Sequence, residues 1–394
     1  MATTTPDAVP VSIRELTADV GILRRILRGR KWYGTEWYIT VFGGTILVVV
    51  AAATILAPVI APHDPNEFIG AAFTPPGGGL QTLVARPGVS PLAPGADLTG
   101  QTIGVQRNKN GSNLAKELEL ESMRYQNQEE LLAGLAAGEV DLIFLDQTVA
   151  EELIAAGSAL EIVREEMGRR YLLGTDNLGR DITSRLTWGA RTVLGVAISS
   201  ALLASVVGIS LGLLSGFAGG RIDRVLSLIM DSIYSFPGLL LAIIMSVMLG
   251  PGIFNVAVAI SVIYIPTFFR IVRGQVLSIK ESMYVEAARS LGAKSHNILR
   301  KYIFPNVIPS VVIVFSLNIA DAILTAAGLS FIGLGLPPDV PDWGYDLSKG
   351  HQFLVAGRWW MITFPGLMIT LVAAGFSLLG EGLSEILNPR LSDN

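Results

Sequence analysis

Six stretches of roughly 20 mostly apolar residues constrain this chain more than any other feature, because a helix needs about that length to cross a bilayer. They fall at about residues 37–61, 192–217, 225–249, 253–272, 307–334 and 361–379. Lipid offers backbone N–H and C=O groups no partners, so each stretch must be helical or enclosed by protein. Composition agrees. Of 394 residues, 51% are hydrophobic and only 16% charged, against about 25% charged in soluble domains, and the mean hydropathy is +0.52. The expectation is an all-α polytopic membrane protein of six transmembrane helices, embedded in a lipid bilayer, rather than one large soluble core. A net charge of −4 gives no sign of a nucleic-acid partner. The absence of cysteine excludes disulfides and thiolate metal sites, and three scattered histidines argue against a metal-based enzyme.

Basic residues in short loops set the orientation. Arg24, Arg25, Arg28, Arg30 and Lys31 precede the first apolar stretch, which places the N-terminal tail (1–36) in the cytoplasm. The first stretch follows this polar tail and exceeds the roughly 7–15 residues of a signal-peptide core, so it reads as an uncleaved helix. Six spans return Arg390 to the same side. The loop between the fourth and fifth spans then also faces the cytoplasm. It carries Arg270, Arg273, Lys280, Arg289, Lys294, Arg300 and Lys301 against Glu281 and Glu286. The expected division is a first span over 37–65, an extracytoplasmic insert over 66–170, and a core with five further spans over 171–394.

The insert has its own texture. Residues 74–79 and 87–94 are rich in Pro and Gly and read as linkers. Between about 97 and 166, strand patterns at 101–106, 123–127, 140–145 and 160–164 alternate with helical ones at 113–122, 129–137 and 149–156. That order predicts a small extracytoplasmic α/β domain with a parallel sheet.

The loop over 274–305 has a particular composition. Glu286, Ala287 and Ala288 form a helix start with the carboxylate where it suits the dipole. Gly292 lets the chain turn, and a second amphipathic helix over 295–303 runs to Pro305. By itself this could be an ordinary basic connector at the membrane surface. Glu-Ala-Ala, then Gly292, then Ile303, Phe304 and Pro305, however, resembles the "EAA" motif of ABC importer permeases. The stretch 172–191, with Leu-Gly-Thr-Asp and Leu-Gly-Arg-Asp, the Ala-Pro to Asp-Pro stretch over 57–65, and Leu-Ser-Phe-Ile-Gly-Leu-Gly over 329–335 followed by Pro337, Pro338, Trp343 and Gly344 resemble the dipeptide/oligopeptide/nickel permease family. The resemblance implies the ABC importer permease fold, two ATPase subunits, a second homologous permease subunit and an extracytoplasmic solute-binding protein. It assigns Glu286, Ala287, Ala288, Gly292, Ile303 and Pro305 to coupling with the ATPase. The chain has no phosphate-cradling Gly-x-x-x-x-Gly-Lys-Ser/Thr loop. The resemblance therefore leaves ATP and Mg to the partner ATPase, with no catalytic residue here.

Residues 97–106 and 125–146 resemble one lobe of a polar-amino-acid-type solute-binding protein. That resemblance points to Asp146 as a ligand contact, with a plain strand end as the alternative. A single lobe cannot close as a clamshell, and docking or gating of the binding protein is the favoured use. Asp231 and Asp321 fall within predicted spans, where an acid faces an aqueous path or bonds a neighbouring helix. Gly208, Gly212 and Gly216 suit close helix packing. A receptor that signals without transport, and a free-standing channel, are the other classes. The short cytoplasmic loop, without an output domain, weighs against the first.

Overall fold

The computed structural model describes residues 34–61, 63–89, 98 and 100–387. Arg24, Arg25, Arg28, Arg30, Lys31 and Arg390, which carry part of the orientation argument, lie outside the described residues, as does most of the tail. Helix α1 (Gly34–Ile55) is the first span, followed by a one-turn helix α2 (Ala57–Ile60) with Pro58 in its first turn.

The insert is built as expected in its elements but not in its sheet. In order it contains β1 (Gln81–Ala85), β2 (Ile103–Gln106), α3 (Asn110–Glu117), β3 (Ser122–Tyr125), α4 (Gln128–Ala137), β4 (Leu142–Asp146), α5 (Gln147–Ala155) and β5 (Glu161–Met167). The strand order is β3-β2-β4-β1-β5. β2 is parallel to β3 and β4, whereas β1 runs antiparallel between β4 and β5. The sheet is therefore mixed, which corrects the all-parallel expectation. β1 lies ahead of residue 97, between the two linkers. Every residue of it is buried, so it shows none of the alternation that marks a half-exposed strand. Helices cover both faces. Leu83, Ile103 and Phe144 pack on one side, and Leu131, Leu135 and Ile143 on the other.

The core helices follow: α6 (Ile182–Ala218), α7 (Gly220–Tyr234), α8 (Gly238–Leu249), α9 (Ile253–Lys280), α10 (Met283–Ser290), α11 (Ser295–Ile298), α12 (Phe304–Phe331), α13 (Trp343–His351) and α14 (Trp360–Leu387). Among the described residues five helices are long and apolar enough to span a membrane, and a sixth only if α7 and α8 count as one. That pair is bent by 90°, so the expected third span is broken. Pro237 lacks an N–H and pushes the residue before it out of helical conformation. Arg221, Asp223, Arg224 and Asp231 make α7 two-sided. The second loop helix also differs from expectation. α11 passes through a π-turn at Leu299–Ile303 straight into α12, without stopping at Pro305.

Helices α6 and α9 pack closely along their length. A Cβ on Gly208 would sit 2.5 Å from the Phe268 Cβ, one on Gly212 2.9 Å from the Val272 Cβ, and one on Gly216 2.8 Å from the Val276 Cβ. The glycine stripe thus lets the two backbones meet. Lys280 Nζ donates to Gly216 O at 3.0 Å, so α6 and α9 finish at the same end, where the α10 loop begins. The insert joins α6 at its opposite end. With 37 residues in α6, the loop end and the lobe end lie about 55 Å apart.

Candidate functional site

At the loop end, α10 stands on a small apolar base. Val285, Ala288, Ile298, Ile303 and Val307 are buried, with Val285, Ile298, Ile303 and Val307 clustered against Val272 and Val276 of α9. The other face of the turn is open. Glu286, Ala287, Ser290 and Gly292 are exposed, Met283 is 87% exposed and Leu291 88%. Gly292 takes a left-handed φ of 82°, which ends α10 and sends the chain back. The six residues read as a coupling set thus separate by position. Glu286, Ala287, Gly292 and Pro305 are exposed, whereas Ala288 and Ile303 are buried in the base that holds the turn. Met283 and Leu291, two bare apolar side chains at the tip, were not singled out in the sequence. Their signal was an apolar residue at each end of a short polar helix.

At the lobe end, the motif over 172–191 folds into a knot. Asp176 accepts hydrogen bonds from the N–H groups of Leu178 (2.8 Å) and Arg180 (2.9 Å) and from Arg180 Nε (2.6 Å). Asp181 caps α6 by accepting from the N–H groups of Thr183 and Ser184. Arg185 is 1% exposed and reaches Asp346 of α13 at 2.7 Å, Pro65 O at 3.2 Å and Asn66 Oδ1 at 3.2 Å. Asp342 caps α13 through the Gly344 N–H at 2.8 Å and accepts from the Ser330 hydroxyl. Burial pushes its carboxyl above the usual range. Trp343 is fully buried and donates from Nε1 to Leu186 O at 2.9 Å.

The knot also holds the insert. Residues 69–80 form a strap that lies along it. Gly70 N–H donates to Gly179 O, Phe73 N–H to Asp176 O and Thr175 N–H to Thr74 O, each at 2.9 Å. Gly174 and Gly179 permit this approach: a Cβ on either would fall 2.4 Å from Thr74 O or 2.1 Å from Gly70 O. Trp360 of α14 donates to Thr175 O at 3.2 Å. On its other side the strap meets the lobe. Asn110, first residue of α3, accepts from Ala71 N–H at 2.6 Å and donates to Thr74 Oγ1 at 3.1 Å. This contact lies at the carboxyl ends of β2 and β4, where the chain leaves for opposite edges of the sheet, the usual ligand crevice of an open α/β sheet. The strap forms the facing wall. A cavity of about 270 Å³ remains, lined among others by Lys109, Asn110, Asp146, Glu151 and Arg170. Asp146, singled out in the sequence, accepts from Gln81 Nε2 of β1.

The two acids read as intramembrane separate as well. Asp231 is on the exposed side of α7, and Arg270 of α9 donates to it at 2.9 Å. It bonds a neighbouring helix. Beside it, Arg273 grips Asp223 with two contacts of 2.5 and 2.7 Å. Asp321 is exposed on α12 and has no ion-pair partner among the described residues. The structure brings none of Asp146, Asp231 and Asp321 together.

A bundle of apolar helices, a projecting loop at one end and a polar knot at the other define a multi-pass membrane protein. A family model described as "Binding-protein-dependent transport system inner membrane component" matches residues 208–393. The glutathione transport system permease protein GsiD of Pectobacterium atrosepticum is 44% identical over 221 residues, which are 56% of this chain and 73% of that protein. The dipeptide transport system permease protein DppC of Bacillus subtilis is 38% identical over 221 residues, 56% of this chain and 69% of its own. An inward-facing structure of the MetNI methionine ABC transporter aligns with 52% of this chain and 96% of its own at a TM-score of 0.43 and 19% identity, too loosely to place residues. The chain belongs to the family of binding-protein-dependent inner membrane components, the permeases of ABC importers.

Proposed function

We propose that the chain is one permease subunit of an ATP-driven importer of peptides or similar small solutes and forms half of its translocation pathway. The observation that carries this reading is the α10 turn: a bare tip of Met283, Glu286, Ala287, Leu291 and Gly292 on a buried base of Val285, Ala288 and Ile303. Small residues admit a partner's surface, and two exposed apolar side chains supply an anchor. The base lies against α9, so force on the tip reaches a span directly. In this reading the loop end and both termini are cytoplasmic, and the tip docks on one of two ATPase subunits that bind ATP and Mg. A second permease completes the pathway. The names of relatives, which speak of glutathione and dipeptides, suggest the solute class.

The lobe sits on the outer side in this reading and docks the solute-binding protein over the mouth. Its support is the strap, which seats the lobe against the knot at α6 and α14. Removal of residues 80–168, with Gly79 joined to Arg169, tests this use. Loss of binding-protein affinity with the complex intact is expected, and unchanged affinity and uptake would refute it. For the coupling role, the chain purified from membranes of its native host should carry an ATPase in fixed ratio. Leu291→Asp or Ala287→Arg should release that ATPase while leaving thermal unfolding unchanged. A stable homo-oligomer without ATPase would overturn the importer reading.

A further inference from the structure

Asp321 is an acid inside a span that has no ion-pair partner among the described residues. At 1.5 Å per residue it stands about 25 Å along α12 from Phe304 and about 15 Å from Phe331, well within the span. One face of α12 is packed: Ile319, Ala322, Ile323, Ala326 and Leu329 are buried in the helix core. The stripe of Leu317, Asp321 and Leu324 is exposed. Among the described residues no cation neutralises Asp321, whereas Asp223 and Asp231 both have arginines. A charged acid facing hydrocarbon at this depth is costly, which favours a polar or aqueous neighbour for this face.

Three features around it define that surface. The stripe ends at Gly328, where a Cβ would stand 3.7 Å from Leu239 of α8, so the broken span borders it. Interrupted helices in membrane transporters occur where backbone lines a solute path. The hydroxyl of Tyr264 of α9 is bonded to Thr325 Oγ1 at 3.1 Å, one turn along α12 from Asp321. A carboxylate with a pair of hydroxyls one helical turn away offers an ammonium group a charge and further oxygen acceptors.

We infer that Asp321, with the Tyr264–Thr325 hydroxyl pair one turn along α12, is a cation contact in the solute pathway and selects solutes that carry a protonated amine. This rests on the importer reading above. A cation supplied by the second permease is the competing explanation, and the experiment separates the two.

The test uses the whole complex, purified through a tag on this chain and reconstituted in proteoliposomes with its binding protein. Uptake of Ala-Ala and of N-acetyl-Ala-Ala is compared for wild type, Asp321→Asn and Asp321→Glu. The binding protein is common to all three, so a change in the ratio of the two uptakes reports the permease. Asp321→Asn should lower Ala-Ala uptake about tenfold or more and leave the acetylated form within about twofold, and Asp321→Glu should restore the preference. An unchanged ratio, an equal fall of both solutes, or loss of the second permease from the Asp321→Asn complex would each overturn the inference while leaving the importer reading in place. Uptake of neither solute by wild type, with no solute-stimulated ATP hydrolysis, would remove the importer reading and this inference with it.

Discussion

Replacing Arg185 with glutamine removes the cation that ties the start of α6 to α13. Its guanidinium is 1% exposed and the Asp346 side chain 14%, and two contacts of 2.8 and 2.7 Å join them. Arg185 also donates to Pro65 O and Asn66 Oδ1, so one side chain binds the α2–strap segment, α6 and α13. Leaving Asp346 buried without its partner should cost about 3–5 kcal/mol, a hundredfold to several thousandfold in the folding equilibrium, taking about 1.4 kcal/mol per tenfold. The double variant Arg185→Met with Asp346→Leu removes both charges and gives up only the hydrogen bonds to Pro65 and Asn66, each worth about 1 kcal/mol. It should therefore be more stable than the single variant. Sodium dodecyl sulfate titration of purified protein, followed by tryptophan fluorescence, measures both, together with the matching singles Arg185→Met and Asp346→Leu. A double variant as unstable as the sum of the two singles would show that the pair is not coupled, and the reasoning would fail.

Further outcomes follow from the same structure. Gly212→Leu places a side chain where a Cβ is already 2.9 Å from Val272, and should lower stability by about 1–3 kcal/mol in the same titration through overpacking. Arg270→Gln removes a largely exposed pair with Asp231 and should change stability by less than about 1 kcal/mol. Asn110→Ala should speed hydrogen exchange at the Ala71 amide without altering exchange in β4, since Ala71 N–H is bonded to Asn110 Oδ1. Burial pushes the Tyr171 hydroxyl up to about 12 from an ordinary value near 10. Its protonated form is favoured in the fold, so its contribution is whole below pH 10 and is lost as pH rises through about 12. Tyr171→Phe should flatten that part of the stability profile.

The spans were legible because lipid demands length and apolarity together, and α1, α6, α9, α12 and α14 meet both. The break between α7 and α8 was not, because hydropathy runs on through Phe236 and Pro237 while backbone geometry does not. Pro237 was the available signal. Four strands of the lobe could be read, three from alternation or turn residues and the fully buried β4 from its continuous apolar run Leu142–Leu145. β1 could not, because it is buried on both faces and so has no period, and its Gln81 and Thr82 leave no comparable apolar run between two Pro/Gly-rich stretches. α13 lies between the expected spans at 307–334 and 361–379, where no helix was expected, although Asp342 ahead of Trp343 and Gly344 is a helix start. At the loop end the sequence marks out the turn and groups two kinds of residue in it. Ala287 and Ala288 are chemically alike and adjacent, and only the helix phase puts one in solvent and the other beneath.

The strap and the chain leaving the lobe run side by side. Tyr171 N–H donates to Gly78 O at 2.9 Å, and Gly77 N–H to Tyr171 O at 2.8 Å. The polypeptide therefore enters and leaves the lobe through one narrow doorway, and the helix bundle places no demand on what is folded beyond it. Any cassette whose two ends lie a strand's width apart could be spliced there in place of the lobe. A circularly permuted fluorescent protein grafted between Gly79 and Arg169 would report the tilt of this doorway as the transporter cycles.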